Sequence, residues 1–365
     1  MKYNKAFKFR IYPNTNQESL IHRTFGCVRF VYNQILGKAS EIYEVEKKNV
    51  IITPASLKKE FEFLKEVDSL ALSNAQLNVK TAFTNFFRKK AKFPKFKSKK
   101  TSKRKYTTNN QKGSIRIENN KLKLPKLGLV SIKLHRQIPL NYKIKSATIS
   151  QEPNGAYYVS ILTEFEQDIK QVPNNNNIVG LDFSMKELFV SSDNQRADYP
   201  RFFRRLESKL AKEQRKLSRK KKFSNNWYKQ KKKVAIVHQK VKNSRKDFLH
   251  KVSKNLVDKY NAICIEDLNM KGMSQALKFG KSVADNGWGM FTTFLQYKAQ
   301  FLGKQVLKVD KFYPSSKTCS FCGTVKSTLK LAQRTYHCEK CNNSIDRDLN
   351  ASINIKTEGA KLLAY

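Results

Sequence analysis

Apolar and polar residues alternate along the first segment, "KAFKFRIYP", as in a strand with one buried face, and Pro13 and Asn14 end it. From Asn16 to about Glu46 the spacing changes to threes and fours. Leu20, Phe25, Val28, Val31 and Ile35 become core positions, which predicts an amphipathic helix. A second helix is predicted from Ser69 to Arg88. Leu72, Ala75, Val79, Ala82, Phe83 and Phe86 share one face, and Ser73, Gln76, Lys80 and Thr84 share another. Residues 88–112 hold twelve basic residues and no acid, and read as a flexible phosphate-binding strip or a disordered linker. Strand-like pieces follow: "SIRIEN", "KLKL", "LVSIKL", "IKSATIS" and "AYYVSIL", parted by turn residues. They predict a small antiparallel barrel or sheet. "KQVPNNNNIVG" then reads as a linker.

The second half has a different pattern. "IVGLDF" and "AICIEDL" are continuous apolar runs ending in acids, as buried central strands would be, and "ELFVSS" can pair back on the first. Between them, residues 201–260 form a long helical stretch with 22 basic and 4 acidic residues. After a Gly-rich stretch, "MFTTFLQYKAQFLG" reads as a helix and "KQVLKVD" as a strand. Alternating strands and helices predict an α/β core. At 365 residues the chain is long enough for two or three domains.

Composition narrows the function. The 24 Phe and 15 Tyr exclude general disorder. No apolar run is long enough to span a membrane, and the N-terminus has no apolar signal core, so a cytoplasmic protein is expected. Lys and Arg number 73 against 29 Asp and Glu, a formal charge of +44. Such an excess repels itself unless a polyanion neutralises it, and nucleic acid is the expected partner.

Three acids stand out in this background. Asp182 and Glu266 follow the two buried strands, and Asp348 opens the helical segment "LNASINI". Clustered carboxylates raise one another's pKa, and divalent cations relieve that repulsion. Two magnesium ions about 3.5–4 Å apart would suit a phosphodiester substrate. Asp267 and Asp346 compete for the roles of Glu266 and Asp348.

"CSFC" (Cys319, Cys322) and "CEKC" (Cys338, Cys341) carry the spacing of a zinc ribbon. Four protein thiolates leave no open position, so the expected zinc is structural. Cys27 and Cys264 stand alone, His337 reads as a surface residue, and no H-E-x-x-H motif is present.

Together these residues carry a resemblance. "KAFKFRIYPNTNQ", "TFGCVRFVYN", "VGLDFSMK", "HQKVKNSRKDFLHKVS", "IEDLNMKGM", "WGMFTTFLQYKAQFLGKQVLKVD", "YPSSKTCSFCG" and "DRDLNASINI" occur in the order of the transposon-associated TnpB proteins, ancestors of type V CRISPR effectors. The resemblance implies a multidomain α+β protein. An RNase H-like (RuvC) α/β nuclease core would occupy 179–314 and 345–365, with a basic helical insertion at 201–260 and a zinc ribbon inserted at 315–344. A β-barrel wedge domain, 1–14 and 105–170, would be split by a helical recognition lobe at 15–104, with a linker at 171–178. Asp182, Glu266 and Asp348 take the family's metal-binding catalytic roles. The family often has glycine after the last cysteine, where this chain has Asn342.

The expected function is RNA-guided cleavage of double-stranded DNA beside a short flanking motif, with one protein per transposon-end guide RNA, in a prokaryotic cytoplasm at the nucleoid. The alternatives are a nuclease-inactive RNA-guided DNA binder, a strand-transfer transposase, and an RNA-packaging protein that leaves the acids idle. The basic helix at Arg215, Arg219, Lys220, Lys221 and Lys222 is expected to contact phosphates. The face bearing Ser73, Gln76, Lys80 and Thr84 is expected either to help read the flanking duplex or to be an idle solvated face.

Overall fold

The computed structural model describes residues 1–46, 52–173, 177–276, 280–330 and 332–363. Part of the linker expected at 171–178 therefore lies outside the described residues. The chain divides into two compact units, Met1–Gln167 and Asp168–Tyr365.

The first unit begins with strand β1 (Lys2–Tyr12) and three helices, α1 (Thr15–Glu46), α2 (Pro54–Glu60) and α3 (Ser69–Phe87). Six strands follow: β2 (Lys105–Asn109), β3 (Arg116–Glu118), β4 (Lys121–Leu124), β5 (Gly128–Lys133), β6 (Lys143–Gln151) and β7 (Tyr157–Glu166). All seven form one antiparallel sheet in the order β2-β6-β7-β1-β5-β4-β3. Hydrogen bonds join neighbours along this order and, among the described residues, not its two ends. The alternation in β1 puts Phe7, Phe9 and Ile11 into the sheet's core. A second core lies among the helices, where Val31, Leu36, Leu57, Leu64, Leu72 and Val79 meet. Thr53 caps α2 and Asp68 caps α3, each accepting a backbone N–H of the first turn.

The basic strip at 88–112 is not a free arm. Residues 105–109 are β2, with Tyr106 and Thr108 buried. Upstream, Asn33 of α1 clamps Lys97 by accepting from its N–H (2.8 Å) and donating to its carbonyl (2.9 Å). The Lys97 ammonium lies 3.4 Å from the Tyr32 ring centroid. A run of cations predicts solvation, but the interleaved aromatic and β-branched residues supply packing that the charge pattern hides.

The second unit is built on β8 (Ile178–Phe183), β9 (Phe189–Ser191), β10 (Ala262–Glu266) and β11 (Gln305–Val309), in the order β11-β10-β8-β9. β10 runs parallel to β8 and β11, and β9 turns back antiparallel. The stretch at 201–260 is a hairpin of two helices, α4 (Phe202–Ser218) and α5 (Asn225–Lys259). Gln230 of α5 donates to the carbonyl and the carboxylate of Glu213 of α4. Two short helices, α6 (Met270–Ala276) and α7 (Gly280–Asn286), lie in the Gly-rich stretch. Then come α8 (Trp288–Phe301), the two-stranded β12 (Thr335–His337) and β13 (Ser344–Asp346), and α9 (Arg347–Lys361). The core of this unit joins Leu181, Ile263 and Ile265 of the sheet to Leu249, Val257, Phe291 and Leu295 of α5 and α8. Among the described residues, no helix is long and apolar enough to cross a membrane.

Candidate active site and cysteine cluster

Two strands and one helix bring the three acids together. β8 and β10 pair in parallel register up to Leu181 and Ile265, so Asp182 and Glu266 are the next residues on adjacent strands. α9 supplies Asp348 from its first turn. It can do so because α9 lies against bare backbone. A Cβ on Gly180 of β8 would stand 2.1 Å from the Ser352 carbonyl oxygen and 2.5 Å from the Lys356 nitrogen. One on Gly359 would stand 2.2 Å from the Cys264 sulfur of β10.

Electrostatics set this cluster apart from an ordinary group of loop acids. Burial raises the Asp182 carboxyl well above the usual range, and the neighbouring Glu266 and Asp348 push it further, against Arg347. Burial also raises Glu266, opposed by the Ser315 hydroxyl, which donates to Glu266 Oε1 at 2.5 Å. Asp348 is raised by burial and by Asp346, against Arg334, Arg347 and Arg196. The cluster is an oxygen-donor set short of positive charge, which is the chemistry that hard divalent cations satisfy.

The competing acids are otherwise engaged. Asp346 caps α9, accepting from the N–H groups of Asp348 and Leu349, both at 3.0 Å. It also pairs with Arg196 at 3.1 Å. Asp267 is exposed and pairs with Lys308 at 2.7 Å.

The cysteines also meet. The sulfurs of Cys319 and Cys341 are 3.6 Å apart, as are those of Cys322 and Cys338. Sulfurs around zinc at about 2.3 Å form a tetrahedron with edges of about 3.8 Å. Among the described residues, this is the one group of three or more such side chains whose ligand atoms all lie within 4.8 Å of one another; the three carboxylates are spread more widely. Hydrogen bonding to Thr324 lowers the Cys322 thiol to about 6, and the Asn343 backbone N–H lowers Cys341. Burial raises Cys319 to about 11. Asn342 holds φ at +56°, a left-handed conformation that asparagine tolerates nearly as glycine does, so it fills the turn after the last cysteine. His337 stays outside the cluster, bonded to Ser344 Oγ at 2.9 Å.

Sequence reasoning missed the residues that tie this cluster to the acids. Asn354 donates to the carbonyls of Ser315 (2.8 Å) and Thr318 (2.6 Å). Asn350 donates to Thr318 O (2.7 Å) and accepts from Ser320 N–H (3.0 Å). Both asparagines are buried on α9. Their spacing of four, which puts both on one side of the helix, was the available signal.

The expected nucleic-acid contacts need two corrections. Gln76, Lys80 and Thr84 do not form a bare polar face. They line an apolar groove of about 540 Å³ with Phe83, Phe86, Phe87 and Phe93, while Ser73 folds back on Ser69 O (3.2 Å). Helical spacing aligned the four polar residues but could not show that phenylalanines flank them. Of the basic residues, only Arg215 lies in α4; Arg219 caps it, and Lys220, Lys221 and Lys222 form the turn before α5. No Gly or Pro marked that break.

Comparison with known proteins places this architecture. A family described as "Probable transposase" matches residues 160–277, and one described as "Cas12f1-like, TNB domain" matches 288–355. A third, described as a helix-turn-helix domain, matches 1–48, where the described residues form β1 and the helix α1. A Streptomyces pristinaespiralis protein, provisionally named an RNA-guided DNA endonuclease, is 35% identical over 97% of this chain and 89% of its own. Escherichia coli InsQ, named in the same provisional way, is 33% identical over 100% of this chain and 94% of its own. The fold of Cas12f1, solved with a single guide RNA and target DNA, superposes with a TM-score of 0.63 over 97% of this chain and 99% of that one, at 15% identity. The chain therefore belongs to the TnpB family, the OrfB proteins of IS605-type transposons.

Proposed function

We propose that this protein is an RNA-guided DNA endonuclease that cleaves double-stranded DNA beside a short flanking motif. The full-length likeness to relatives carrying that name supports the reading. The observation that carries it is the convergence of Asp182, Glu266 and Asp348 through strand register and the Gly180 contact. In this reading the RuvC-like core comprises 179–314 and 345–365, the zinc ribbon 315–344, and the wedge 1–14 and 105–170 around a helical lobe. Two magnesium ions, when bound, would clamp the attacking and leaving oxygens of a phosphodiester. Asp182, Glu266 and Asp348 would hold these ions. Ser315 orients Glu266, and the Asp346 cap fixes the first turn of α9, from which Asp348 projects. Zinc held by Cys319, Cys322, Cys338 and Cys341 would fix the excursion that returns the chain to α9. The +44 charge suits one guide RNA and its heteroduplex, read by shape and base pairing.

The test is sequencing of RNA that purifies with the protein, then incubation of that complex with a guide-matched plasmid in magnesium. Cleavage beside a recurring flank supports the reading. Guide-dependent binding without cleavage leaves the nuclease-inactive alternative, and strand joining leaves the transposase.

A further inference from the structure

Resting on that reading, the turn between α4 and α5 has a surface the nuclease site does not use. Phe223, Trp227 and Tyr228 gather there. The Phe223 and Trp227 ring centroids are 5.6 Å apart, and those of Trp227 and Tyr228 5.1 Å. Phe223 stays 62% exposed and Tyr228 52%. Phe223 also holds φ at +70°, the left-handed region that glycine favours and bulky residues avoid. Such backbone persists where the surroundings impose it. Cations surround the rings. Between Gln214 and Lys246 there are fourteen Lys and Arg and no acid. Lys231 sits 4.7 Å from the Trp227 ring centroid.

A purely local explanation exists. Ser224 caps α5 by accepting from Trp227 N–H at 3.1 Å, so Phe223 occupies the position from which a hydrophobic staple packs on the first turn. A staple serves by burying its rings, and these two remain more than half exposed. Exposed aromatic faces inside an acid-free run of cations match single-stranded nucleic acid, whose bases stack while its phosphates pair with Lys and Arg.

We propose that the α4–α5 tip is a stacking platform for unpaired bases. Phe223, Trp227 and Tyr228 present the faces, and Arg219, Lys220, Lys221, Lys222 and Lys229 hold the flanking phosphates. A duplex keeps its bases stacked internally and offers the rings nothing.

The experiment uses the full-length chain, freed of nucleic acid at high salt and titrated with short single-stranded RNA, single-stranded DNA and duplex DNA. The chain has two tryptophans, and Trp288 is buried in the core while Trp227 is only half-buried, so quenching by an added strand reports on Trp227. Single strands should quench it and duplex should not. Phe223→Gly keeps the left-handed turn and removes the ring. It and Tyr228→Ala should each weaken single-strand binding roughly 5- to 150-fold, the loss expected for one stacking ring, with duplex binding and the melting temperature kept. The RNA and DNA arms show which strand supplies the base. Equal quenching by duplex would overturn the proposal, as would a Phe223→Gly variant that melts lower yet binds single strands as wild type, the outcome for a mere staple. Guide-directed plasmid cleavage is scored separately. Its persistence with failed quenching sinks the platform alone, and its absence with intact ring-dependent quenching sinks only the endonuclease reading.

Discussion

Gly180→Ala tests whether the contact of α9 with β8 sets the spacing of the acids. The added carbon would lie 2.1 Å from Ser352 O, 2.5 Å from Lys356 N and 2.9 Å from Lys356 Cβ. Two of these atoms are backbone, so no side chain can swing clear. Restoring ordinary contact requires α9 to retreat by about 1 Å or more. Overpacking of this kind costs about 1–3 kcal/mol, and the rigid neighbours place it at the upper end. In a unit of about 200 residues, about 3 kcal/mol lowers the melting temperature by roughly 6–12 °C. The same retreat moves Asp348 relative to Asp182, and a misplacement of about 1 Å at a catalytic centre costs about 10²-fold in rate. The assay is single-turnover cleavage of a guide-matched plasmid, run well below the variant's melting temperature, beside a thermal melt. Gly289→Ala, in the same unit with nothing within 4 Å of its would-be Cβ, is the control and should be neutral or slightly stabilising. Wild-type melting and cleavage in Gly180→Ala would refute the backbone contact. A lowered melt with an unchanged rate would show that this contact does not position Asp348.

Asp182→Ala, Glu266→Ala and Asp348→Ala should each abolish cleavage and leave guide-dependent DNA binding within about twofold, because in the proposed two-ion site losing one carboxylate would displace both ions; full cutting by Asp348→Ala would shift the role elsewhere. Cys319→Ser or Cys341→Ser should remove zinc by elemental analysis and lower the melting temperature, since zinc bound at the proposed site would supply folding energy; active protein without zinc would contradict this. Gln76→Ala and Lys80→Ala should relax the flank preference in a randomised-flank cleavage assay, and an unchanged preference would place recognition elsewhere. Lys298 donates to His250 O and Ser253 Oγ, and burial lowers its pKa to about 8. Between pH 8 and the unfolded value of about 10.4, the folded chain therefore binds fewer protons than the unfolded one, and stability rises with pH. The melting difference between wild type and Lys298→Met should move in favour of wild type over that range; a flat difference would show that Lys298 titrates normally.

The parts legible in the sequence were those with a strong local pattern. Apolar runs ending in Asp182 and Glu266 predicted buried strands, and the spacing of the four cysteines predicted their meeting. What stayed hidden depends on which faces touch. "IVGLDF" reads as uniformly apolar, so nothing marks Gly180 as the position on which a helix backbone rests. Ser315 looks like one serine in a polar turn until β10 places Glu266 beside it. The hairpin at 201–260 read as one helical stretch because its turn uses Phe223 in a left-handed conformation instead of a glycine. The phenylalanines beside Gln76 and Lys80 were hidden because periodicity assigns directions and not neighbours.

The close seat of α9 on Gly180 and Gly359 has a consequence for synthesis. Roughly 170 residues separate Asp182 from Asp348, which a ribosome adding about 5–20 residues per second takes about 8–35 s to make. Through that interval β8, and β10 once it is made, lack the helix that covers them, and the acid set lacks its third member. A nascent chain therefore carries its basic helices before its acid set is complete, and the same delay leaves an apolar sheet face uncovered until α9 arrives.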